Sequence, residues 1–188
     1  DITSTTDLKT ISYNLPPYSS ILFMASMQPT TFGTSATTQK SEQTKVLDLP
    51  LWNISTPSVN LRDTTLFDWK TNEKLKFSAE IALYKTEFEM KELNANTHYS
   101  IDLSKVYYTA KVILNGQEVG ERIFTPFTLD ITKQLRSGKN QLEIIVTPAQ
   151  LNNLIGGAVK GDKRYNAFRK VDDLMSNGLI GPVSISKE

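Results

Sequence analysis

The stretch 107–147, YYTAKVILNGQEVGERIFTPFTLDITKQLRSGKNQLEIIVT, reads as strand, tight turn, strand, one helical turn and strand. Apolar side chains fall on alternate positions at Tyr108, Ala110, Val112 and Leu114, the period of a strand with one buried face. Asn115-Gly116 follows. Both residues tolerate positive φ, which the two-residue type I′ turn requires, so the dipeptide predicts a hairpin. Beyond the return strand, Asp130 or Thr132 is placed to cap a short helix through Leu135, and Gly138 to end it in the left-handed conformation. The chain then enters a strand carrying Leu142, Ile144 and Val146.

Short strands separated by turn residues extend outward on both sides. Upstream, Tyr84, Thr86, Phe88 and Met90 share one face of a strand, and Tyr99 to Leu103 form another; downstream, Pro182 to Ser186 close the sheet. The spacing predicts an all-β sandwich. Val46-Leu47-Asp48-Leu49-Pro50-Leu51-Trp52 opens this unit, with Trp52 in its core. Residues 148–177 break the pattern: Asn152, Asn153, Gly156, Gly157 and Gly161 predict flexible loop, and Tyr165, Phe168 and Leu174 recur at the spacing of a short surface helix. Gly156-Gly157-Ala158-Val159-Lys160-Gly161 is not a phosphate loop, because Asp162 stands where that motif needs lysine.

The 188 residues suffice for one domain with a substantial core, or one domain and a fragment of a neighbour. Lysine and arginine total 21 against 20 acidic residues, a balance that indicates neither nucleic acid nor an anionic membrane as partner. The chain lacks cysteine and has one histidine, His98, with no G-x-S-x-G elbow. Thiolate chemistry, a serine triad and transition-metal sites are thereby disfavoured. Calcium needs only oxygen ligands, but the acidic residues are scattered and no D-x-D-x-D-G loop occurs. No cofactor is therefore expected; the metal content stays open, since a structural calcium is compatible with oxygen ligands alone although no motif indicates one.

The order V-x-L-N-G-x-x-V-G followed by P-F-x-x-D-I-T-x-x-L-x-x-G-x-N-x-L-x-I-x-V resembles the sugar-binding-type β-sandwich of glycoside hydrolases, a jelly roll akin to galactose-binding domains. Leu66-Phe67-Asp68-Trp69 and Phe77 to Phe88 extend the resemblance upstream, with Ala79 where that family has glycine. Asn152-Asn153-Leu154-Ile155-Gly156 and Gly178-Leu179-Ile180-Gly181-Pro182-Val183 look like the closing segments of bacterial α-L-rhamnosidases that carry this module at their C-terminus. The resemblance implies a division into 1–29, strands left from a preceding domain; 30–45, a polar Thr/Ser-rich linker; and 46–188, the sandwich. It also implies an extracytoplasmic bacterial protein, and a catalytic domain of the same polypeptide as partner. The start at Asp1-Ile2-Thr3, without methionine, favours a piece of something longer.

Glycoside hydrolysis requires two carboxylates at a set separation, and the sequence singles out no such pair. In the resembling enzymes the reacting acids lie in another domain, which implies a non-catalytic accessory module. Carbohydrate recognition uses an aromatic face against the apolar side of the ring and planar polar groups for its hydroxyls. The candidates are Asp68 with Trp69, Arg122 with Phe124, and Asn152, Asn153, Arg164 and Tyr165. Trp69 equally suits core packing, and Asn152 equally suits pinning a loop through backbone hydrogen bonds. An independent carbohydrate-binding module and a structural or adhesive sandwich are the alternative readings.

Overall fold

In the computed structural model, described over residues 2–5, 8–11, 43–168 and 171–188, the chain divides into two units, Asp1–Glu42 and Gln43–Glu188. In the first, β1 (Ile2–Thr5) and β2 (Leu8–Ile11) form an antiparallel hairpin. The expectations for Tyr13 to Ala25, and for most of the linker, lie outside the described residues.

The second unit is a β-sandwich. Its strands run, in order, β3 (Thr44–Asp48), β4 (Trp52–Ser55), β5 (Asn60–Thr64), β6 (Ala82–Met90), β7 (Tyr99–Asp102), β8 (Val106–Tyr107) and β9 (Thr109–Leu114). Then come β10 (Gln117–Arg122), β11 (Thr128–Asp130), β12 (Gly138–Thr147), the helix α1 (Leu151–Val159), β13 (Gly178–Leu179) and β14 (Ser184–Lys187). One sheet has six strands in the order β10-β9-β12-β6-β4-β5 and the other four, β11-β7-β14-β3. Every neighbouring pair is antiparallel. Such an arrangement, with alternate residues turned inward, is the jelly-roll sandwich expected from the sequence.

The period-two reading places the core correctly. Ala110, Val112 and Leu114 on β9, Leu142, Ile144 and Val146 on β12, and Tyr84, Phe88 and Met90 on β6 are buried. They meet Ile101, Leu129 and Ile185 of the facing sheet, and Trp52 is buried among them. The hairpin turns at Asn115 and Gly116 with φ of 54° and 78°. Asn115 also fastens this end: its Nδ2 donates to Gln134 O and Asn140 Oδ1, both at 2.8 Å, and its Oδ1 accepts from Gln141 N. The Asn140 side chain is itself buried and donates to Arg136 O and Gly138 O.

Two local expectations are corrected and one is met. Tyr108 does not share the buried face of β9; the strand begins at Thr109 because Val106-Tyr107 pairs instead with Gly178-Leu179. The one helical turn expected after Asp130 is present, closed by Leu135 N–H donating to Ile131 O, with Asp130 accepting from Thr132 N. Most different is 151–159, expected as flexible loop and found as α1, while Lys163–Phe168 and Val171–Asp173 form 3-10 turns in place of one surface helix. Glycine costs a helix about 1 kcal/mol, but here it permits close packing. A Cβ at Gly156 would lie 2.6 Å from Phe77 Cβ, and one at Gly157 2.6 Å from Tyr165 Cδ2.

Candidate functional site

The registers bring the start of β6, the start of β9, and the ends of β10 and β12 to one end of the six-stranded sheet: Ala82 pairs with Val146, Thr109 with Thr147 and Ala110 with Arg122. The loops that leave this end carry all eight candidate residues. The hairpin turn and its asparagine fastening lie at the opposite end.

Asp68 and Trp69 tie two of these loops together. Asp68 caps the 3-10 turn Trp69–Thr71, accepting from Lys70 N and, across the chain, from Asn177 N, each at 3.1 Å. Burial alone would raise its pKa, but hydrogen bonds from the Ser176 side chain and the backbone of Asn177 and Lys70, with the Lys70 charge, hold it below the ordinary value. Trp69 is enclosed, with 0% of its surface exposed. Its Nε1–H donates to the Tyr84 hydroxyl at 2.7 Å, and its ring fills the space where Gly178, at φ 86°, lacks a side chain. It has no face to offer a ligand.

Asn152 is buried and binds one residue twice: Nδ2 donates to Met175 O at 2.8 Å and Oδ1 accepts from Met175 N at 3.0 Å. It pins the segment before β13 to α1. Asn153 is exposed and donates to Phe77 O at 3.3 Å. Arg164 grips Asp162 in a fork, Nε to Oδ1 at 3.1 Å and Nη2 to Oδ2 at 2.7 Å, holding that carboxyl below its usual range. The guanidinium lies 5.4 Å from the centre of the Tyr165 ring, which rests against Gly157. Arg122 donates from Nε to Thr128 O and from Nη1 to Glu121 O, while Phe124 nearby is 74% exposed.

The structure adds what the sequence reading missed. Ile81, Tyr108, Ile123, Val159, Val171 and Met175 are also exposed in the loops and element ends on this side. With Phe124 they make seven of the nine large exposed hydrophobic side chains among the described residues; Val46 and Leu51 lie elsewhere. Tyr108 Oη donates to Met175 Sδ at 3.4 Å, joining the β8–β9 junction to the pinned segment. The loop ends of strands carry no alternation, so only Tyr108 had a sequence signal, and alternation assigned it to the core.

Glycoside cleavage wants one carboxyl held protonated by a raised pKa, whereas Asp68 and Asp162 are both shifted down. Among the described residues no group of three or more His, Asp or Glu side chains is placed to hold a metal ion, and no helix is long and apolar enough to cross a membrane. His98 is exposed, and its backbone pairs with that of Glu188.

Comparison with known proteins agrees with this architecture. The family described as glycosyl hydrolase 2 galactose-binding domain-like matches residues 59–175. A Formosa agariphila protein assigned as a β-glucuronidase is 32% identical over 189 aligned positions, covering 80% of this chain and 16% of that protein. The rhamnosidase of Novosphingobium sp. PP1Y superposes with a TM-score of 0.68 at 27% identity, over 81% of this chain and 16% of that one. A GH2 β-galacturonidase from Eisenbergiella tayi shares the fold, with a TM-score of 0.52 at 21% identity over 78% of this chain and 24% of that one. The chain thus spans about a sixth or less of the length of the curated relatives it matches.

Proposed function

Because this chain belongs to the glycosyl hydrolase 2 galactose-binding domain-like family, we propose that it is a non-catalytic accessory module of a glycoside hydrolase, docked on the catalytic domain through its loop-bearing end. The reading is supported by the exposed hydrophobic side chains in the segments that connect the strands at that end, Tyr108, Ile123, Phe124, Val159 and Met175 among them, with Tyr108 Oη in contact with Met175 Sδ. Apolar area left in water is recovered when a partner covers it, at roughly 25 cal/mol per Å².

Phe124, Tyr165, Arg122, Asn153 and Arg164 stand at the rim of this end and suit the edge of a carbohydrate-binding cleft shared with that domain. The parent is an extracytoplasmic enzyme of α-L-rhamnosidase type, a choice supported by the likeness to the Novosphingobium rhamnosidase. Its activity belongs to the partner domain; on this end Asp68 and Asp162 are held below the usual carboxylate range, the wrong direction for a proton donor.

The test compares this chain with the full-length product of its gene on aryl α-L-rhamnosides and aryl β-D-glucuronides. The full-length protein should cleave one of them and the isolated chain neither. In the full-length protein, Ile123→Ser with Phe124→Ser should let the module unfold separately from the rest in calorimetry. Cleavage by the isolated chain, or a full-length protein without glycosidase activity, would refute the reading.

A further inference from the structure

A cavity of about 340 Å³ opens on the six-stranded sheet away from the loop end. Its lining includes Leu51, Asn53, Asp63, Lys85, Glu87 and Gln141. Asn53, Lys85, Glu87 and Gln141 alternate with buried Trp52, Tyr84, Phe88 and Asn140, so they project from the outer face of the sheet. They are also neighbours across it: Asn53 pairs with Lys85 and Glu87 with Gln141.

Asp63 joins them by a different device. The ladder between β4 and β5 shifts register between Trp52 and Ile54, and Asp63 takes a φ of 49° there. Asn53 Oδ1 accepts from Asp63 N at 3.1 Å and holds the kink. A bulge re-aims the side chain it carries, here to the cavity wall.

The chemistry of the wall selects a ligand class. Gln141 and Asn53 offer amide donors and acceptors, Asp63 and Glu87 offer carboxylate acceptors, and Leu51, 51% exposed, offers apolar surface at the rim. Lys85 is already neutralised by Glu143 at 2.6 Å, so the two lining carboxylates leave the cavity net negative. Hydroxyl groups can donate to these carboxylates, whereas an anionic ligand is repelled.

We propose that this cavity, where Asn53, Asp63, Glu87 and Gln141 converge beside Leu51, is a binding site for an uncharged pyranose, and that it discriminates against uronic acids. It is separate from the loop end and stands whether or not that end docks a catalytic domain.

The experiment is a titration of the ¹⁵N-labelled full chain with methyl α-L-rhamnopyranoside, methyl β-D-galactopyranoside and methyl β-D-glucuronide, followed through backbone amide shifts. At least one neutral glycoside should move the signals of Asn53, Asp63, Glu87 and Gln141, and the glucuronide should bind about tenfold more weakly or not at all. Glu87→Ala with Gln141→Ala, both exposed sites, should weaken the neutral ligand about tenfold. Asp63→Asn with Glu87→Gln, which keeps shape while removing charge, should narrow the gap to the glucuronide. Shifts confined to 122–124 and 151–177, equal binding of the glucuronide, or no shift with either neutral glycoside would each overturn the proposal.

Discussion

Trp69 and Tyr84 meet through a single hydrogen bond, the indole Nε1–H donating to the phenol oxygen at 2.7 Å, with both side chains fully buried. The same oxygen accepts from Leu179 N at 3.1 Å. One hydroxyl therefore joins the β5–β6 loop, the central strand β6 and the short strand β13. The Trp52 ring meets Tyr84 edge-on, with centroids 6.5 Å apart, completing an aromatic cluster beneath the loop end.

Tyr84→Phe should destabilise the fold by about 2–4 kcal/mol, because two buried N–H donors lose their acceptor while the ring volume is kept. Urea denaturation followed by tryptophan fluorescence measures this, with Trp69 as the nearest reporter.

The same phenol predicts an alkaline dependence. Burial pushes the Tyr84 pKa up to about 12, against an ordinary value of 10.0. A folded-state value above the unfolded one means that the unfolded chain loses its proton first. The contribution is complete below pH 10 and is lost as pH rises through the folded value, at up to about 1.4 kcal/mol per pH unit. Denaturation midpoints measured from pH 9 to 12 should fall more steeply for the parent chain than for Tyr84→Phe.

Gly156→Ala and Gly157→Ala should separate, although both improve helix propensity by about 1 kcal/mol. The new methyl at 156 meets Phe77 Cβ, an atom fixed to the backbone, and the net effect should be a loss of about 1–2 kcal/mol. At 157 it meets the edge of the Tyr165 ring, which can swing aside. That variant should stay within about 0.5 kcal/mol of the parent in thermal melts.

Asn152→Ala should cost about 1–3 kcal/mol by removing both hydrogen bonds to Met175. Asn152→Asp should be at least as harmful, since a carboxylate accepts from Met175 N but faces Met175 O without a donor. Hydrogen exchange at the Met175 amide should quicken in both.

The strands were legible because alternation is a local property: Ala110, Val112 and Leu114 announce their buried face without reference to any distant residue. Asn115-Gly116 was legible for the same reason, since a turn depends on the backbone freedom of two residues. The helix α1 was not. Its Gly156 and Gly157 look like loop until Phe77 and Tyr165 are seen against them, and Phe77 is remote in sequence. Trp69 suited either a ligand face or the core, and only the enclosure formed with Gly178 and Tyr84 separates the two. Ile123, Val159 and Met175 each read as an isolated apolar residue in an irregular segment, and their exposure follows from tertiary packing that no local pattern encodes.

The fastening of the hairpin tip by Asn115, Asn140 and Gln141 has a practical corollary. The tip is rigid, lies opposite the loops, and has open space around Gly116. A fluorophore attached through Cys at the exposed neighbour Gln117 would be a fixed antenna, reporting by energy transfer how the module is oriented in a larger assembly from the end opposite the loops.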